Sequence, residues 1–566
     1  MNPGDMKKTI FTLLTTTALA GILAGCASQP VPQAINTGAG GYGSYLQGAV
    51  AELGGSYNTA QRAYLYTLAE DPDNITLRQR VFQMSLLEGD IPTAVRLVKT
   101  LPDEARTQTM PQLVLTLDAI KRNKPDEAQE HLSRASAMAP QLLHFTVMKD
   151  YLALAAGQSP TTVINRLQTQ PVPQAMLSRR AYQVGRMNLK QGKVEEARQA
   201  LEQAEQIEPG TVFTTRLLGE LYERAGDTGR AAEVYNLFRN RNPNVPLFGE
   251  AFDRMAQKQK PAPFASTPEQ DIAEVMFDFG LLVWVQGADG PARQILNLTL
   301  WLNDESDPYA LYYAALIGEF GDRSGLSRAR YQKLLADPRL SVAAGLRLAQ
   351  LDFTEGKKDD AIRRLNNLMA SNKRDSKTVQ RALADTLFAD KNFEAALVQY
   401  KPLVAEVDSL APPQQVALLF AYGAALERVK RYDEAGTYLK KAVTIDPANP
   451  QILNYLGYMW VEQNRNIDEA FVLLKRANAL APNDGAITDS LGWAYHMMGK
   501  DQIALGYLER AAEQEPDDAT VNEHLGDLYA KLGRTDEAYT QWRLALQLAG
   551  NDKELKARLE NKLKAK

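Results

Sequence analysis

A pattern of small residues recurs at a fixed spacing near the end of this chain. Gly492 recurs as Gly526 and Ala504 recurs as Ala538, 34 residues later in both cases. A period of this length places one supersecondary unit in each repeat, with room for two antiparallel helices. The small residues let the backbones of the two helices approach each other closely. The spacing therefore predicts helical hairpins that stack in tandem and bury a core between neighbours.

Turn signals fall where each predicted helix should end. Gly499 and Gly533 can close the first helix of each hairpin in a left-handed cap, and Pro516 stops a second helix. This combination resembles the tetratricopeptide repeat (TPR). The resemblance implies an all-α fold, a TPR superhelical solenoid in which the first helices line a concave groove.

The same pattern extends along most of the chain and predicts about 14 helical hairpins. The small-residue position of the first helix serves as a register mark. The marks are Gly48, Phe82, Thr116, Asp150, Gly185, Gly219, Gly280, Ala315, Ala349, Ala384, Gly423, Gly457, Gly492 and Gly526.

The repeat period breaks once, at residues 244–269, which contain four prolines and no repeat match. We interpret this segment as a linker between two halves, with one short helix around Phe248 to Lys258. The N-terminal solenoid is then 43–243, and the C-terminal solenoid is 270–550. The final segment, 551–566, is a Lys-rich amphipathic helix and is predicted to cap the solenoid with a polar outer face. A basic membrane-binding helix is the alternative for this segment.

The beginning of the chain has the features of an export signal, predicted over residues 1–25. Lys7 and Lys8 precede an uncharged run that is too short to span a membrane. The sequence Leu-Ala-Gly-Cys that closes it at Cys26 resembles the bacterial lipobox. That resemblance implies cleavage before Cys26 and acylation of its thiol. An ordinary secretory signal is the alternative.

The residues that follow the cysteine bear on location. Ala27 stands where an aspartate would resemble an inner-membrane retention signal, which favours the outer membrane with the protein facing the periplasm; an inner-membrane anchor remains the alternative. Residues 26–42 carry no charge and are rich in Pro, Gly and polar residues. They are predicted to form a flexible tether.

Composition argues against several classes of function. The 64 Lys and Arg residues are balanced by 68 Asp and Glu, for a net charge of −4, so nucleic acid is not an expected partner. Cys26 is the single cysteine, and the four histidines have no metal-ligand spacing. No nucleotide-binding loop or hydrolase motif occurs. We therefore expect a protein that is not an enzyme and that has no cofactor or metal.

The resemblance to tetratricopeptide repeats implies a protein-binding groove, because binding side chains in such proteins lie at fixed offsets on the first helices. In the last three repeats these offsets select Asn454, Tyr458, Asp489, Trp493, His496, Met497, Asp527 and Lys531. Aromatic and Met anchors are typical of binding surfaces. The alternative is that these side chains pack on the neighbouring helix. In the first half the offsets select a charged set, and a charged face is more often simply solvated: Tyr182, Arg186, Arg216 and Glu220.

Three segments extend the resemblance to a narrower group. They are GSYLQGAVAELGGSYNTAQRAYLYTLAEDPDN at 43–74, TPEQDIAEVMFDFG at 267–280, and DSLGWAYHMMGKDQIALGYLERA at 489–511. The chain resembles long TPR lipoproteins of Gram-negative bacteria, which implies an outer-membrane adaptor. In the best understood members of this group, such a lipoprotein tethers a carboxyl-terminal processing protease and delivers substrates to it, including cell-wall hydrolases, so the resemblance implies partners of this kind. An assembly or pilotin-like factor for an envelope export machine is the alternative function.

Overall fold

The computed structural model describes residues 39–140, 142–319, 325–550 and 552–564. Within these ranges it contains 31 α-helices, two short 3-10 helices and no strand, which confirms the predicted all-α fold. The predicted signal peptide, the predicted acylation site at Cys26 and most of the predicted tether lie outside the described residues.

The chain divides into two compact units, Met1–Val379 and Gln380–Lys566. The helices of the first unit, in chain order, are α1 (Ala39–Leu53), α2 (Tyr57–Glu70), α3 (Ile75–Glu88), α4 (Ile91–Val98), α5 (Asp103–Arg106), α6 (Thr109–Lys121), α7 (Pro125–Met138), α8 (Leu143–Ala155), α9 (Pro160–Thr169), α10 (Leu177–Lys190), α11 (Val194–Ile207), α12 (Val212–Ala225), α13 (Thr228–Arg241), α14 (Gly249–Ala256), α15 (Pro268–Val285), α16 (Asp289–Leu302), α17 (Pro308–Gly318), α18 (Leu326–Leu334), α19 (Ser341–Thr354) and α20 (Lys358–Ser371).

The boundary between the units falls inside helix α21 (Ser376–Ala389). The helices that follow in the second unit are α22 (Phe393–Val404), α23 (Pro412–Arg428), α24 (Tyr432–Ile445), α25 (Pro450–Glu462), α26 (Ile467–Leu480), α27 (Gly485–Met497), α28 (Asp501–Gln514), α29 (Ala519–Lys531), α30 (Thr535–Leu548) and α31 (Lys553–Lys564).

Every predicted register mark lies on the first helix of a hairpin, and the small residues have the predicted role. A Cβ atom at Gly492 would lie 2.8 Å from Leu508 Cδ2, and one at Gly526 would lie 2.6 Å from Trp542 Cδ1. A side chain at either position would force the facing Leu508 or Trp542 to shift, so glycine is what lets the paired helices pack this closely. Gly499 has φ +71°, the left-handed cap conformation that the sequence predicts.

The first helices of the C-terminal repeats begin in a recurring way. Asn449, Asp484 and Asp518 are N-caps whose side chains accept a hydrogen bond from the backbone N–H three residues later, at 3.0–3.3 Å. Each such cap satisfies one of the N–H groups that a helix start leaves without a partner. The N-cap residues therefore recur with the same period as the small residues of the core.

Residues 244–269 do not separate the two units, in contrast to the predicted linker. The predicted short helix is present as α14, but the chain before it is buried: Leu247 and Phe248 are inaccessible to solvent. The ring of Phe248 stacks on Tyr235 at 5.4 Å and on Tyr309 at 5.6 Å between centroids. The segment therefore belongs to the core of the first unit, and the predicted division into 43–243 and 270–550 differs from the structure.

Helices that follow this segment return to the first repeats. Arg293 and Asn297 on α16 donate hydrogen bonds to the carbonyl oxygen of Leu87, at 2.7 and 3.0 Å, and Asn297 also donates to that of Leu86 at 2.8 Å. These carbonyls lie in the last turn of α3, where helical hydrogen bonds end. The return packing gives the first unit one continuous core from its first hairpin to α19.

The two ends of the described chain differ from the predicted boundaries by a few residues. Helix α1 begins at Ala39, inside the predicted tether 26–42. At the other end, α31 buries Leu555 and Leu559 in the core of the last hairpin and exposes charged residues. That is the arrangement of a terminal cap.

Candidate functional site

The predicted N-terminal groove is filled by a helix of the same chain. Tyr182 and Arg186 on α10 and Arg216 on α12 all contact α15, and Tyr182 and Arg186 are buried. Arg186 donates to Asp271 at 3.0 Å, Arg216 lies 2.6 Å from a Glu274 oxygen, and the Tyr182 hydroxyl donates to Glu274.

A second set of charges extends this contact along α15. Arg179 Nε lies 3.1 Å from Asp278 Oδ2, and His144 Nε2 lies 2.9 Å from the same oxygen. Asp271, Glu274 and Asp278 are spaced by three and four residues, so they share one face of the helix. Buried charges of opposite sign that hydrogen-bond to one another can be accommodated in a core, whereas isolated ones cannot.

Aromatic rings complete the contact between α15 and the first repeats. The ring of Phe277 meets Phe213 edge-on at 4.8 Å, and that of Phe279 lies 5.1 Å from His144. The carboxyl of Glu274, on the same helix, contacts Tyr182, Arg216 and Arg186. Burial alone would raise its pKa, but the guanidinium groups of Arg216 and Arg186 outweigh burial and lower the pKa to about 2.

The four residues predicted to form an N-terminal binding groove therefore have another role. Three of them, Tyr182, Arg186 and Arg216, bind α15. The fourth, Glu220, forms an ion pair with Arg224 of its own helix, at 2.9 Å. The repeat offsets correctly identified residues on the inner face of the first repeats. That face is occupied by α15, because the chain after the period break at 244–269 packs back onto the first repeats. The charges are neither a solvated face nor an open site.

The second unit keeps an aromatic cluster accessible at the corresponding positions. Trp493 is half-buried: its ring stacks on His524 at 4.1 Å between centroids with a 12° tilt, and its Nε1 donates to Glu462 at 3.1 Å. Tyr458 is also half-buried, with its ring 6.2 Å from that of His524. Met497 is 40% exposed. We call Tyr458, Glu462, Trp493 and Met497 the aromatic face.

Other predicted groove residues hold neighbouring repeats together. Asp489 is buried, and its Oδ2 lies 2.8 Å from His524 Nδ1 on the next first helix. Asp527 accepts from Lys562 of the cap helix at 2.6 Å and from Trp542 Nε1 at 2.9 Å. Asp489 therefore joins two successive repeats, and Asp527 joins the two helices of the last hairpin and the cap helix.

Of the remaining predicted residues, all of which the structure describes, only His496 has a ring contact with the aromatic face. His496 Nδ1 lies 2.7 Å from Asp501, and its ring lies 4.9 Å from that of Trp493. Lys531 is exposed, and Asn454 is half-buried. His496 extends the cluster around Trp493, while its contact with Asp501 fixes the ring to the start of the following helix.

Comparison with known proteins identifies the repeats. Two families described as tetratricopeptide repeats match the chain, one over residues 404–551 and the other over 182–246 and 346–400. The chain contains tetratricopeptide repeats. TPR repeat-containing protein PA4667 of Pseudomonas aeruginosa is 29% identical over 101 residues, which is 18% of this chain and 17% of the length of that relative.

Two solved structures align with larger parts of the chain. The Cut9 and Hcn1 hetero-tetramer of the APC/C is 12% identical, covers 93% of this chain and 97% of that chain, and has a TM-score of 0.37. A tetratricopeptide repeat protein from Parabacteroides merdae is 16% identical, covers 51% of this chain and 97% of that chain, and has a TM-score of 0.36.

Neither a metal site nor a membrane span is found in the part of the chain that the structure describes. Among those residues, no group of three or more His, Cys, Asp or Glu side chains could hold a metal ion. No helix in the described ranges has the length and apolar character needed to cross a bilayer.

Sequence reasoning missed His524, the buried residue on which the Trp493 ring stacks. Burial acts to lower the pKa of His524, but the carboxylate of Asp489 outweighs it and raises that pKa above 6.5. A signal for this contact exists in the TPR register. Asp489 and His524 are 35 residues apart, and so are Glu523 and Arg558, which lie 2.7 Å from each other. A spacing of one repeat plus one residue thus occurs in two acid–base contacts, one between successive first helices and one between the last first helix and the cap helix α31.

Proposed function

We propose that this TPR protein is a non-catalytic scaffold that binds another envelope protein through the aromatic face of its second unit. One observation carries the proposal. The inner face of the first unit is filled by α15, whereas Trp493 and Met497 remain accessible in the second. Half-buried aromatic and Met side chains beside a carboxylate are the composition of an interaction surface rather than of a solvated face.

The predicted lipobox supports a location for this scaffold. Acyl chains on Cys26 would anchor it in the outer membrane, facing the periplasm. TPR proteins generally bind other proteins and are generally non-catalytic. The resemblance at 43–74 and 267–280 supports an adaptor that recruits a carboxyl-terminal processing protease and brings cell-wall hydrolases to it as substrates. The scaffold needs no cofactor for this role.

The anchor is tested by replacing the acylated residue. We expect Cys26→Ser to move the protein from the membrane fraction to the soluble periplasmic fraction, with an unchanged circular dichroism spectrum. Each buried methylene of an acyl chain contributes about 0.8 kcal/mol, so loss of the chains removes most of the attachment. A wild-type protein whose mass includes no lipid would contradict the anchor.

The binding surface is tested by truncating its aromatic residues. We expect Trp493→Ala and Tyr458→Ala each to weaken partner binding about thirtyfold, since truncation of a central anchor typically costs about 2 kcal/mol. The measurement is a pull-down from detergent-solubilised envelopes, followed by mass spectrometry and titration of the purified partner.

Trp301→Ala is the matched control for this experiment. Trp301 is also half-buried and lies under Lys121 at 5.1 Å, but it belongs to the first unit. The control should retain the partner, and thermal unfolding should be recorded for all three variants. If Trp493→Ala keeps its fold and binds the partner as tightly as the wild type, the aromatic face is not the partner-binding site. A large fall in its melting temperature would show that the ring is needed for the fold.

A further inference from the structure

Helix α1 leaves one apolar face without a neighbour in the described chain. Tyr42, Leu46, Val50 and Leu53 are 40–82% exposed, and their spacings of four, four and three residues place them in one stripe. The opposite face is packed in the ordinary way, with the ring of Tyr45 5.8 Å from that of Tyr64 on α2. We call the four exposed residues the α1 stripe.

The α1 stripe is not only apolar but also without charge. No charged residue occurs between Cys26 and Glu52. Glu52, at the end of the helix, turns its carboxylate towards the hairpin, where it accepts hydrogen bonds from the Tyr64 hydroxyl and from Arg80, both at 2.6 Å. Its charge is therefore compensated within the protein and does not oppose burial of the stripe.

The other end of the array shows what a solvated terminus looks like in this chain. Helix α31 buries two leucines and presents Lys, Arg and Glu outward. A terminal repeat needs such a polar outer face if water covers it. The first helix has an apolar face instead, which indicates that something other than water covers it.

We infer that the α1 stripe lies on the lipid surface to which the protein is anchored. The inference rests on the proposed acylation of Cys26. Tyr42 follows Cys26 by 16 residues, so the intervening chain spans at most about 53–58 Å. The bilayer is thus always within reach, and the tether gives it a high effective concentration.

The chemistry of the stripe fits the interface between lipid and water. Leucine and valine side chains enter the acyl boundary favourably, and a tyrosine at the end of such a face suits the headgroup level. No charge has to be desolvated. Because the stripe contains no Lys or Arg, the contact does not require anionic lipid. It would hold the first repeat against the membrane as a second attachment beside the acyl chains.

A thiol-directed fluorophore can report this contact directly. Cys26 is the single cysteine of the chain, and acylation blocks its thiol, so Val50→Cys creates one labelling site on the stripe. Val472→Cys is the matched control, since Val50 is 69% exposed and Val472, on α26 of the second unit, is 63% exposed. The full-length acylated variants are labelled and reconstituted into neutral phosphatidylcholine vesicles.

On vesicles we expect a blue shift and severalfold slower quenching by aqueous iodide for the probe at Val50→Cys, with no change at Val472→Cys. Equal quenching at the two sites in protein that floats with the vesicles would overturn the inference. Protection of Val50→Cys without vesicles, rising with protein concentration, would also overturn it, because a second copy would then cover the stripe.

A tagged form separates this inference from the proposed acylation. Replacing residues 1–26 with a polyhistidine tag holds the chain on vesicles that contain a nickel-chelating lipid. If the natural protein proves to carry no acyl group, the anchor proposal fails, but the same probe still shows whether the α1 stripe meets the lipid. Protection in this form supports the stripe as a lipid contact, and its absence rejects it.

Discussion

Glu274 has partners from two different repeats. Its carboxylate accepts from the Tyr182 hydroxyl and from Arg216, and it lies 3.3 Å from Arg186. All of these side chains are remote in sequence, so the contact forms only when α15 has docked. Removing one member of a buried charge network leaves the others without compensation, which costs more than the network itself contributes.

We therefore expect Glu274→Gln to destabilise the first unit by about 3 kcal/mol. The amide keeps the shape of the side chain but removes the charge that compensates Arg186 and Arg216. The matched control is Glu269→Gln, the same change in the first turn of α15, where the side chain is only half-buried. It should alter stability by less than about 0.5 kcal/mol. Thermal unfolding followed by circular dichroism measures both, and equal effects would contradict the role assigned to Glu274.

The pH dependence of the same variant has a defined sign. The arginines lower the pKa of Glu274 from 4.5 to about 2 in the folded protein. A carboxyl with a lowered folded pKa stabilises the protein above its unfolded pKa, and this stabilisation is lost as pH falls through the folded value. The difference in melting temperature between the wild type and Glu274→Gln should thus shrink between pH 4.5 and pH 2. A constant difference would show that the charge of Glu274 is unimportant.

At the scale of single residues, the sequence predicted which side chains lie on the inner face of the repeats better than it predicted the side chains that they contact. The offsets placed Arg186 and Arg216 on the inner face of the first repeats, as the structure has them. The offsets could not reveal that the acidic residues of α15 lie opposite these arginines. That contact depends on tertiary packing between residues at least 58 positions apart in the chain. Trp493 illustrates the same limit: its accessibility could be anticipated, but its stacking on His524 depends on a neighbouring repeat.

At the scale of helices, the repeat period made the hairpins predictable. Close helix pairs require small residues at fixed positions, and the chain supplies them in all but its most degenerate repeats. Helix α15 is the instructive exception. Its sequence, PEQDIAEVMFDFGLLVWV, is apolar around most of its circumference, and such a helix is normally buried on all sides. Three acids on one face of it match the arginines of α10 and α12. These two signals together could have predicted that α15 docks into the first repeats.

At the scale of the whole molecule, the break in the period was the misleading signal. Prolines and a missing repeat motif are typical of a linker, and they suggested a boundary at 244–269. In the structure these residues let the chain reverse direction, and Phe248 anchors the turn in the core with a left-handed backbone at φ +62°. The division between compact units falls instead inside α21, where the repeat pattern continues without interruption. Periodicity therefore locates the repeats but not the border between the two compact units.

Truncation distinguishes the two possible borders. We expect fragments 39–379 and 376–566 to fold separately, each with a cooperative thermal transition, because each retains its own core. Fragment 39–243 lacks α15 and α16, so it exposes Phe213 and the apolar ends of the first repeats and leaves the buried arginines without acids. It should melt well below fragment 39–379 and bind a hydrophobic dye. Circular dichroism melting of the three fragments measures this, with 376–566 as the control that loses no packing partner of its own unit. If fragment 39–243 melts at the same temperature as 39–379, the docked helix α15 adds nothing to the stability of the first repeats, and the border would lie at 244–269 after all.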